Sequence, residues 1–255
     1  MDLIFQPSTR LRRSQMFRLV ILAAAALLFV TALWAEGADI TSAKCAWPGP
    51  NRSDLQQYYL DGWKRDINGT VGGTYGRIRN QSPWVEAGTN YDGQRRFTAA
   101  WTMVAKPGNY WAQIGWNEYA YGERYTFVQV ESGGLPYTAQ YPPEPVNTET
   151  YYTTIYDPYP VPGHFSFTAN GVQKGPWIST NWVPTNGQIF GEINILSNQM
   201  PGGTNWPLWL SDSNIYFNGA WQPFNGTPIS SQFGYFPYWK QDSWTEAIWD
   251  SMCPD

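Results

Sequence analysis

Histidine and cysteine are nearly absent from this chain. Its 255 residues include one histidine, His164, and two cysteines, Cys45 and Cys253. A transition-metal site needs several imidazole or thiolate ligands, so the sequence predicts no metal and no other cofactor. A Ser-His-Asp triad could use only His164, and no Gly-x-Ser-x-Gly elbow accompanies it. Any catalysis is therefore expected to rest on carboxylates, amides and hydroxyls.

Charge is also scarce. Charged residues make up 14% of the chain, and the formal net charge is −4. Four of the arginines lie before residue 19, so the remainder is more acidic still. Nucleic-acid binding requires a basic surface, and nucleic acid is therefore not an expected partner.

The N-terminal region has the order of an export signal. Basic residues between Arg10 and Arg18 precede an uncharged apolar run from Leu19 to Ala35, as in secretory signals. Cleavage after Ala35 or Ala38 would release a secreted protein, which is the prediction. The alternative is that residues 1–38 are retained as a helix that anchors the chain in a membrane.

The two cysteines lie near opposite ends of the exported region. In an oxidising compartment, a disulfide between Cys45 and Cys253 is expected. In the chain-entropy model so long a loop gives at most roughly 5 kcal/mol. Two unpaired thiols are the alternative.

Long helices are excluded by the 24 glycines and 20 prolines, while 17% aromatic residues supply one sizeable core. From residue 73 onward, short runs rich in β-branched and aromatic residues alternate with turn signals. The Asn-Gly dipeptide occurs five times and favours antiparallel hairpins. The predicted fold is all-β, an antiparallel β-sandwich of the jelly-roll, concanavalin-like kind over residues 73–255. We predict strands near 74–80, 96–105, 110–117, 124–131, 149–156, 164–169, 188–196 and 213–218.

Three other segments complete the predicted organisation. Residues 39–72 form an N-terminal segment with a possible short helix over 53–64, which Ser53 could cap. The proline-rich stretches 141–145 and 156–160 are predicted as loops flanking the 149–156 strand. The aromatic tail, residues 233–249, is predicted to cover the core.

The segment Asn186–Leu196 carries the first candidate site residue. The isoleucines at 189, 193 and 195 fall on one side of a strand there, and Phe190, Glu192 and Asn194 fall on the other. A carboxylate therefore lies mid-strand, away from the aliphatic side.

A second strand has the same build. In Tyr110–Trp116, Gln113 shares one face with Trp111 and Gly115. The sequence predicts that Gln113 and Glu192 meet across a concave sheet. The simplest alternative is a Gln–Glu hydrogen bond on a solvated polar face.

These segments resemble the glutamic-peptidase families, the fungal eqolisins and the plant neprosin-type peptidases. The resemblance rests on Trp-Ala-Gln113-Ile-Gly-Trp, on Gly-Glu192-Ile followed by Gln199-Met200-Pro-Gly-Gly, and on Ala-Trp101-Thr-Met-Val, and it covers about residues 73–220. Eqolisins carry an Asp where this chain has Asn117, and neprosin-type enzymes carry a Glu where it has Gln113.

The resemblance implies a mechanism and a substrate. Glu192 would take a proton from water as it attacks a peptide carbonyl, and the amide of Gln113 would donate to the oxyanion. The expected substrate is a polypeptide, cleaved at acid pH. The residues expected to wall the groove and contact the substrate are Trp101, Trp111, Phe190 and Asn194.

Two other functions remain open on the sequence. Trp and Tyr rings on a concave sheet also suit an oligosaccharide, as in a lectin-like carbohydrate-binding module. A glycoside hydrolase needs two carboxylates about 5 to 10 Å apart, and Gln113 occupies the place expected for the partner of Glu192.

Overall fold

The computed structural model describes residues 59–90, 93–134, 136–194, 198–202, 207–230, 238–240 and 245–248. The chain divides into two units, Met1–Ser42 and Ala43–Asp255, and every described residue belongs to the second. The export segment, Cys45 and Cys253 lie outside the described residues, so secretion and the disulfide stay predictions. In the part that is described, no helix is long and apolar enough to cross a membrane.

The described chain is almost entirely β-structure. Its strands are β1 (Tyr59–Asp66), β2 (Gly73–Arg79), β3 (Phe97–Lys106), β4 (Tyr110–Tyr119), β5 (Arg124–Ser132), β6 (Tyr137–Tyr141), β7 (Glu149–Asp157), β8 (His164–Ala169), β9 (Val172–Gln173), β10 (Ile178–Ser179), β11 (Asn186–Ile193), β12 (Leu208–Phe217), β13 (Ala220–Pro223), β14 (Thr227–Ser230), β15 (Tyr238–Lys240) and β16 (Glu246–Ile248). One 3₁₀ turn, Ala120–Gly122, follows β4.

The strands form two antiparallel sheets. The seven-stranded sheet has the order β14-β1-β11-β3-β4-β5-β6, and the nine-stranded sheet has the path β10-β8-β7-β2-β12-β16-β15 with β9 beside β8 and β13 beside β12. A buried apolar cluster joins them, with Trp116 and Ile189 from the first sheet and Tyr152, Phe165 and Ile215 from the second. The two sheets therefore enclose one core, and the predicted all-β architecture is confirmed.

All eight predicted strands are present, as β2, β3, β4, β5, β7, β8, β11 and β12. The proline-rich stretches lie mainly in the two connections flanking β7, as predicted, since proline cannot donate to a ladder. Several short strands escaped prediction because two to five residues give too little alternation to recognise. The described part of the aromatic tail adds two of these, β15 and β16, to the nine-stranded sheet.

The helix predicted over 53–64 is wrong in its described half, because residues 59–64 belong to β1. Positions 59 and 63 lie four apart, a spacing that places them on one face of a helix and equally on one face of a strand. Pairing decides the outcome: β1 lies between β11 and β14. Trp63 is fully buried in the core, so the sandwich begins before residue 73.

Glycines bring the two sheets close behind β11. A Cβ atom at Gly187 would lie 2.5 Å from Thr74 Cγ2, and one at Gly191 would lie 2.6 Å from Ile248 Cδ1. Both positions alternate with isoleucines on the core side of the strand. The side chains on the opposite side of β11 are therefore held on a strand that is packed tightly from behind.

Candidate active site

The face of the seven-stranded sheet that points away from the core forms a groove with a volume of about 340 Å³. Gln113 and Glu192 both line it, together with Trp101 and Trp111. A second buried apolar cluster, which includes Trp101, Phe127 and Phe190, lies on this face. Both predicted catalytic residues therefore line one groove on the same side of the sheet.

Strand register arranges the groove in three rows that run across β11, β3, β4 and β5. The acid row contains Glu192, Ala99 and Asn117. The aromatic row contains Phe190, Trp101, Gly115 and Phe127. The amide row contains Gln188, Met103, Gln113 and Gln129.

The rows show how the two candidate catalytic residues are related. Glu192 pairs with Ala99 of β3, whereas Gln113 pairs with Met103 four positions along the same strand. They are also two strands apart, at a spacing of about 4.8 Å per strand. In the described chain, no hydrogen bond joins them. Trp101 lies in the row between them. The carboxylate and the amide therefore do not touch, although both line the same groove.

Glu192 is buried, and its carboxylate has one polar partner among the described residues. Its side chain is 9% exposed, and its Oε2 accepts a hydrogen bond of 2.5 Å from Trp101 Nε1. Burial raises the pKa of Glu192 to about 7, against the smaller lowering effect of the Trp101 N–H. No Lys or Arg is among the described residues that line the groove, so no cation offsets the desolvation.

Gln113 is held as a donor. It is 7% exposed, and its Nε2 donates to Oε1 of Gln129, its register partner on β5, at 2.9 Å. An amide nitrogen carries two hydrogens, so one remains for another acceptor. The amide of Gln113 is thus bonded to Gln129. The alternative, a direct hydrogen bond between Gln113 and Glu192 on the sheet face, does not form.

Two of the three predicted aromatic walls, Trp101 and Trp111, line the groove, and Trp111 is half-buried. Phe190 is not among the lining residues; it is buried and packs on Trp101, with 5.2 Å between ring centroids. Gly115 interrupts the aromatic row: a Cβ atom there would lie 2.0 Å from the Ala100 carbonyl oxygen. The row therefore has a floor of main chain between Trp101 and Phe127.

Asn194 does not belong to the groove, contrary to its predicted contact with substrate. Its Oδ1 accepts from the Phe97 N–H at 2.8 Å, and its Nδ2 donates to the Arg95 carbonyl at 2.8 Å. β11 ends at Ile193, so the strand alternation that placed Asn194 beside Glu192 no longer applies. Its amide instead holds the start of β3.

The Gln199-Met200 segment, which is part of the family resemblance, has a structural role here. Gln199 Oε1 accepts from the Trp84 N–H at 2.9 Å, and the Gln199 N–H donates to the Trp84 carbonyl at 3.0 Å. Thr98 Oγ1 donates to the Gln199 carbonyl at 2.8 Å. This segment therefore ties a neighbouring loop to β3 and lies behind the site.

Asn117 and Gln129 are among the groove residues that the sequence prediction did not place. Asn117 lies four positions after Gln113 on β4, so strand alternation could have found its face. Asn117 is 8% exposed and its Nδ2 donates to the Tyr119 hydroxyl at 3.1 Å. Strand register, which sequence does not supply, is what makes Asn117 level with Glu192.

A second buried carboxylate lies on the opposite side of β4. Burial raises the pKa of Glu118 to about 7, although a Ser82 hydrogen bond and the Arg124 charge lower it. The Arg124 Nε to Glu118 Oε2 distance is 3.5 Å, and neither atom is in hydrogen-bond geometry with a partner. Burial outweighs the attraction within so loose a pair, so the pKa of Glu118 is raised. Glu118 does not line the groove.

No His, Cys, Asp and Glu side chains of the described residues cluster in a way that could hold a metal ion. His164 begins β8 in the other sheet and stacks on Trp177, with 4.5 Å between ring centroids. The groove's chemistry is therefore that of one carboxylate and several amides.

No protein-family model matches the chain, and no curated protein matches it by sequence. Solved structures do share its fold. Scytalido-glutamic peptidase, determined with a transition-state analog inhibitor, aligns with a TM-score of 0.54 at 9% identity, covering 76% of this chain and 98% of that one.

SCP-B, a member of the eqolisin family determined with the tripeptide Ala-Ile-His, aligns with a TM-score of 0.55 at 9% identity over the same shares. A Bacillus licheniformis β-glucanase also aligns, but with a TM-score of only 0.34 at 11% identity, covering 71% of this chain and 64% of that one. The chain therefore has a glutamic-peptidase-like fold, and the likeness does not single out the neprosin type.

Proposed function

We propose that this protein is a secreted glutamic endopeptidase that hydrolyses polypeptides through Glu192, Gln113 and an activated water. The observation that carries the proposal is one groove lined by both a buried carboxylate and an oriented amide donor, with Trp101 in the row between them. The fold shared with two glutamic peptidases supports it.

The first step uses Glu192 as a general base. Ionised Glu192 takes a proton from water while the water oxygen forms a bond to the scissile carbonyl carbon. The carbonyl oxygen takes up the electron pair and becomes an oxyanion. The free Nε2 hydrogen of Gln113 donates to that oxyanion, and an amide that cannot titrate keeps this role at every pH.

The second step returns the proton. The electron pair of the oxyanion re-forms the C=O bond, the C–N bond breaks and its electron pair goes to the leaving nitrogen, and Glu192 delivers to that nitrogen the proton that it took from water. No covalent bond to the enzyme forms, and Glu192 ends ionised as it began. One carboxylate thus serves as base and then as acid, which a pKa near the working pH favours.

The pKa of Glu192 bears directly on the working pH. The resemblance implies an acid optimum, but Glu192 is a base only when ionised. Since burial raises its pKa to about 7, we propose that kcat/KM rises with pH below that value and reaches a plateau above it. Activity at neutral pH is the expected outcome.

The lining also indicates what the groove binds. Glu192 is the only Asp or Glu among the described lining residues, and five Gln and one Asn accompany the aromatic rings. Amides pair with peptide groups, and rings pack against apolar side chains, so an unfolded, uncharged polypeptide segment fits. A glycoside hydrolase is disfavoured because its second carboxylate is not in this lining.

The test is hydrolysis of a denatured protein from about pH 3 to pH 9, with pepstatin present against contaminating aspartic peptidases. Glu192→Gln should abolish cleavage, and Gln113→Ala should lower kcat roughly a hundredfold, the usual loss for one oxyanion donor. Glu118→Gln is the matched control, because it removes a buried carboxylate from the same sheet outside the groove.

Two results would count against the proposal. Cleavage that survives Glu192→Gln, or no cleavage by the correctly processed wild type anywhere in the pH range, would exclude it. Binding to an oligosaccharide array in the absence of cleavage would favour the carbohydrate-binding alternative, with Trp101 and Trp111 as its stacking surfaces.

A further inference from the structure

Asn117 is a groove residue with an unused acceptor. It is 8% exposed and lines the groove, and its Nδ2 is committed to Tyr119. Its Oδ1 is buried and has no hydrogen-bond partner among the described residues. A buried acceptor left without a partner is costly and calls for an explanation such as a ligand that supplies the donor.

The position of Asn117 suggests that donor. Gln113, Gly115 and Asn117 alternate on the groove face of β4, and Gly115 contributes no side chain between the two amides. Asn117 is also level with Glu192, with only Ala99 between them in the acid row. The strand therefore offers an amide donor at one end and an amide acceptor at the other, over a floor of main chain.

A trans peptide group carries its C=O and its N–H in opposite directions. If its oxygen points to Gln113, its N–H points along β4 toward Asn117. We propose that Asn117 Oδ1 accepts a hydrogen bond from the N–H of the scissile peptide bond, an inference that rests on the peptidase function proposed above. The broad side-chain amide torsion of Asn lets the oxygen turn from its shielded position into the groove, and this turn gives up the Nδ2 hydrogen bond to Tyr119.

This contact gives Asn117 a role in orienting the scissile peptide bond. It holds the leaving nitrogen level with Glu192, the group that protonates it, while the carbonyl oxygen stays at Gln113. It also makes the site select an amide over an ester, because an ester has no N–H to donate. Asn117 is then a substrate-binding residue that favours peptide bonds.

The test compares a peptide with its depsipeptide, which has an ester at the scissile position and the same side chains. Asn117→Leu should lower the ratio of kcat/KM for peptide to kcat/KM for ester about tenfold, the loss of one hydrogen bond. Asn117→Asp keeps an acceptor and should keep the ratio. Gln173→Leu, which removes an exposed amide from β9 in the other sheet, is the control for the ratio.

Folding and the two proposals can be separated. Thermal unfolding of each variant checks the fold, and Asn117→Ala provides the same comparison if the leucine variant does not fold. A folded Asn117→Leu or Asn117→Ala protein with the wild-type ratio overturns the inference. Wild type that cleaves neither substrate, or cleavage that survives Glu192→Gln, overturns the peptidase function instead.

Discussion

Replacing Glu192 by Gln should change how the stability of the protein depends on pH. The substitution keeps a side-chain oxygen for the Trp101 N–H and removes the buried ionisable group. Folding raises the pKa of this carboxyl from 4.5 to about 7. A carboxyl whose pKa is higher in the folded than in the unfolded state stabilises the folded protein when it is protonated. This stabilisation is complete below pH 4.5 and is lost as pH rises through about 7.

The size of the effect follows from that interval. Each pKa unit is worth 1.36 kcal/mol, so moving from 4.5 to about 7 corresponds to roughly 3 kcal/mol of unfolding free energy. Wild type should lose on that order between about pH 4 and pH 9 through Glu192 alone. The Glu192→Gln protein lacks this loss, and contributions from other groups, Glu118 included, are common to both proteins.

Urea unfolding followed by tryptophan fluorescence at several pH values measures the difference. The free energy of unfolding of Glu192→Gln minus that of wild type should increase with pH and level off above about 7. Glu131→Gln makes the same charge change at a partly exposed position of β5 and serves as the control. If wild type and Glu192→Gln give parallel stability curves, Glu192 is not buried as an ionisable group and the proposed base loses its basis.

Three further expectations concern neighbouring features. Trp101→Phe removes the N–H that lowers the pKa of Glu192, so the pH at which kcat/KM is half-maximal should rise; a fall or no change would contradict the hydrogen bond's role. Gly115→Ala should lower the unfolding free energy in urea by about 1–3 kcal/mol, because its Cβ atom would lie 2.0 Å from a carbonyl oxygen; unchanged stability would refute this. Mass spectrometry of the unreduced exported protein should show Cys45 linked to Cys253, and two alkylatable thiols would exclude that link.

Strand alternation was sufficient to predict which way the main site residues point. Glu192 and Phe190 lie on one side of β11, and Gln113 and Trp111 on one side of β4, because each strand is long enough for its period of two to hold. The same rule failed at Asn194, one residue past the end of β11. Alternation is a property of strands, and the sequence does not mark their last residue.

Register and pairing could not be obtained from the sequence. Nothing in the order of residues says that Glu192 is level with Asn117 and that Gln113 is level with Gln129, because register depends on how separate segments pair. The same lack of information on strand pairing explains why the helix predicted over 53–64 was wrong. The spacing within residues 53–64 suited two structures, and the neighbouring strands of β1 decided between them.

The amide-rich lining of the groove has a consequence for how substrate arrives. Without a Lys or Arg among its described lining residues, and with a single carboxyl that is half-neutral near pH 7, the groove projects little long-range field. Electrostatic steering, which salt would screen, should therefore contribute little to the rate at which substrate reaches the groove. Encounter with a polypeptide should therefore be governed by short-range hydrogen bonds and ring contacts, and KM should change little with ionic strength.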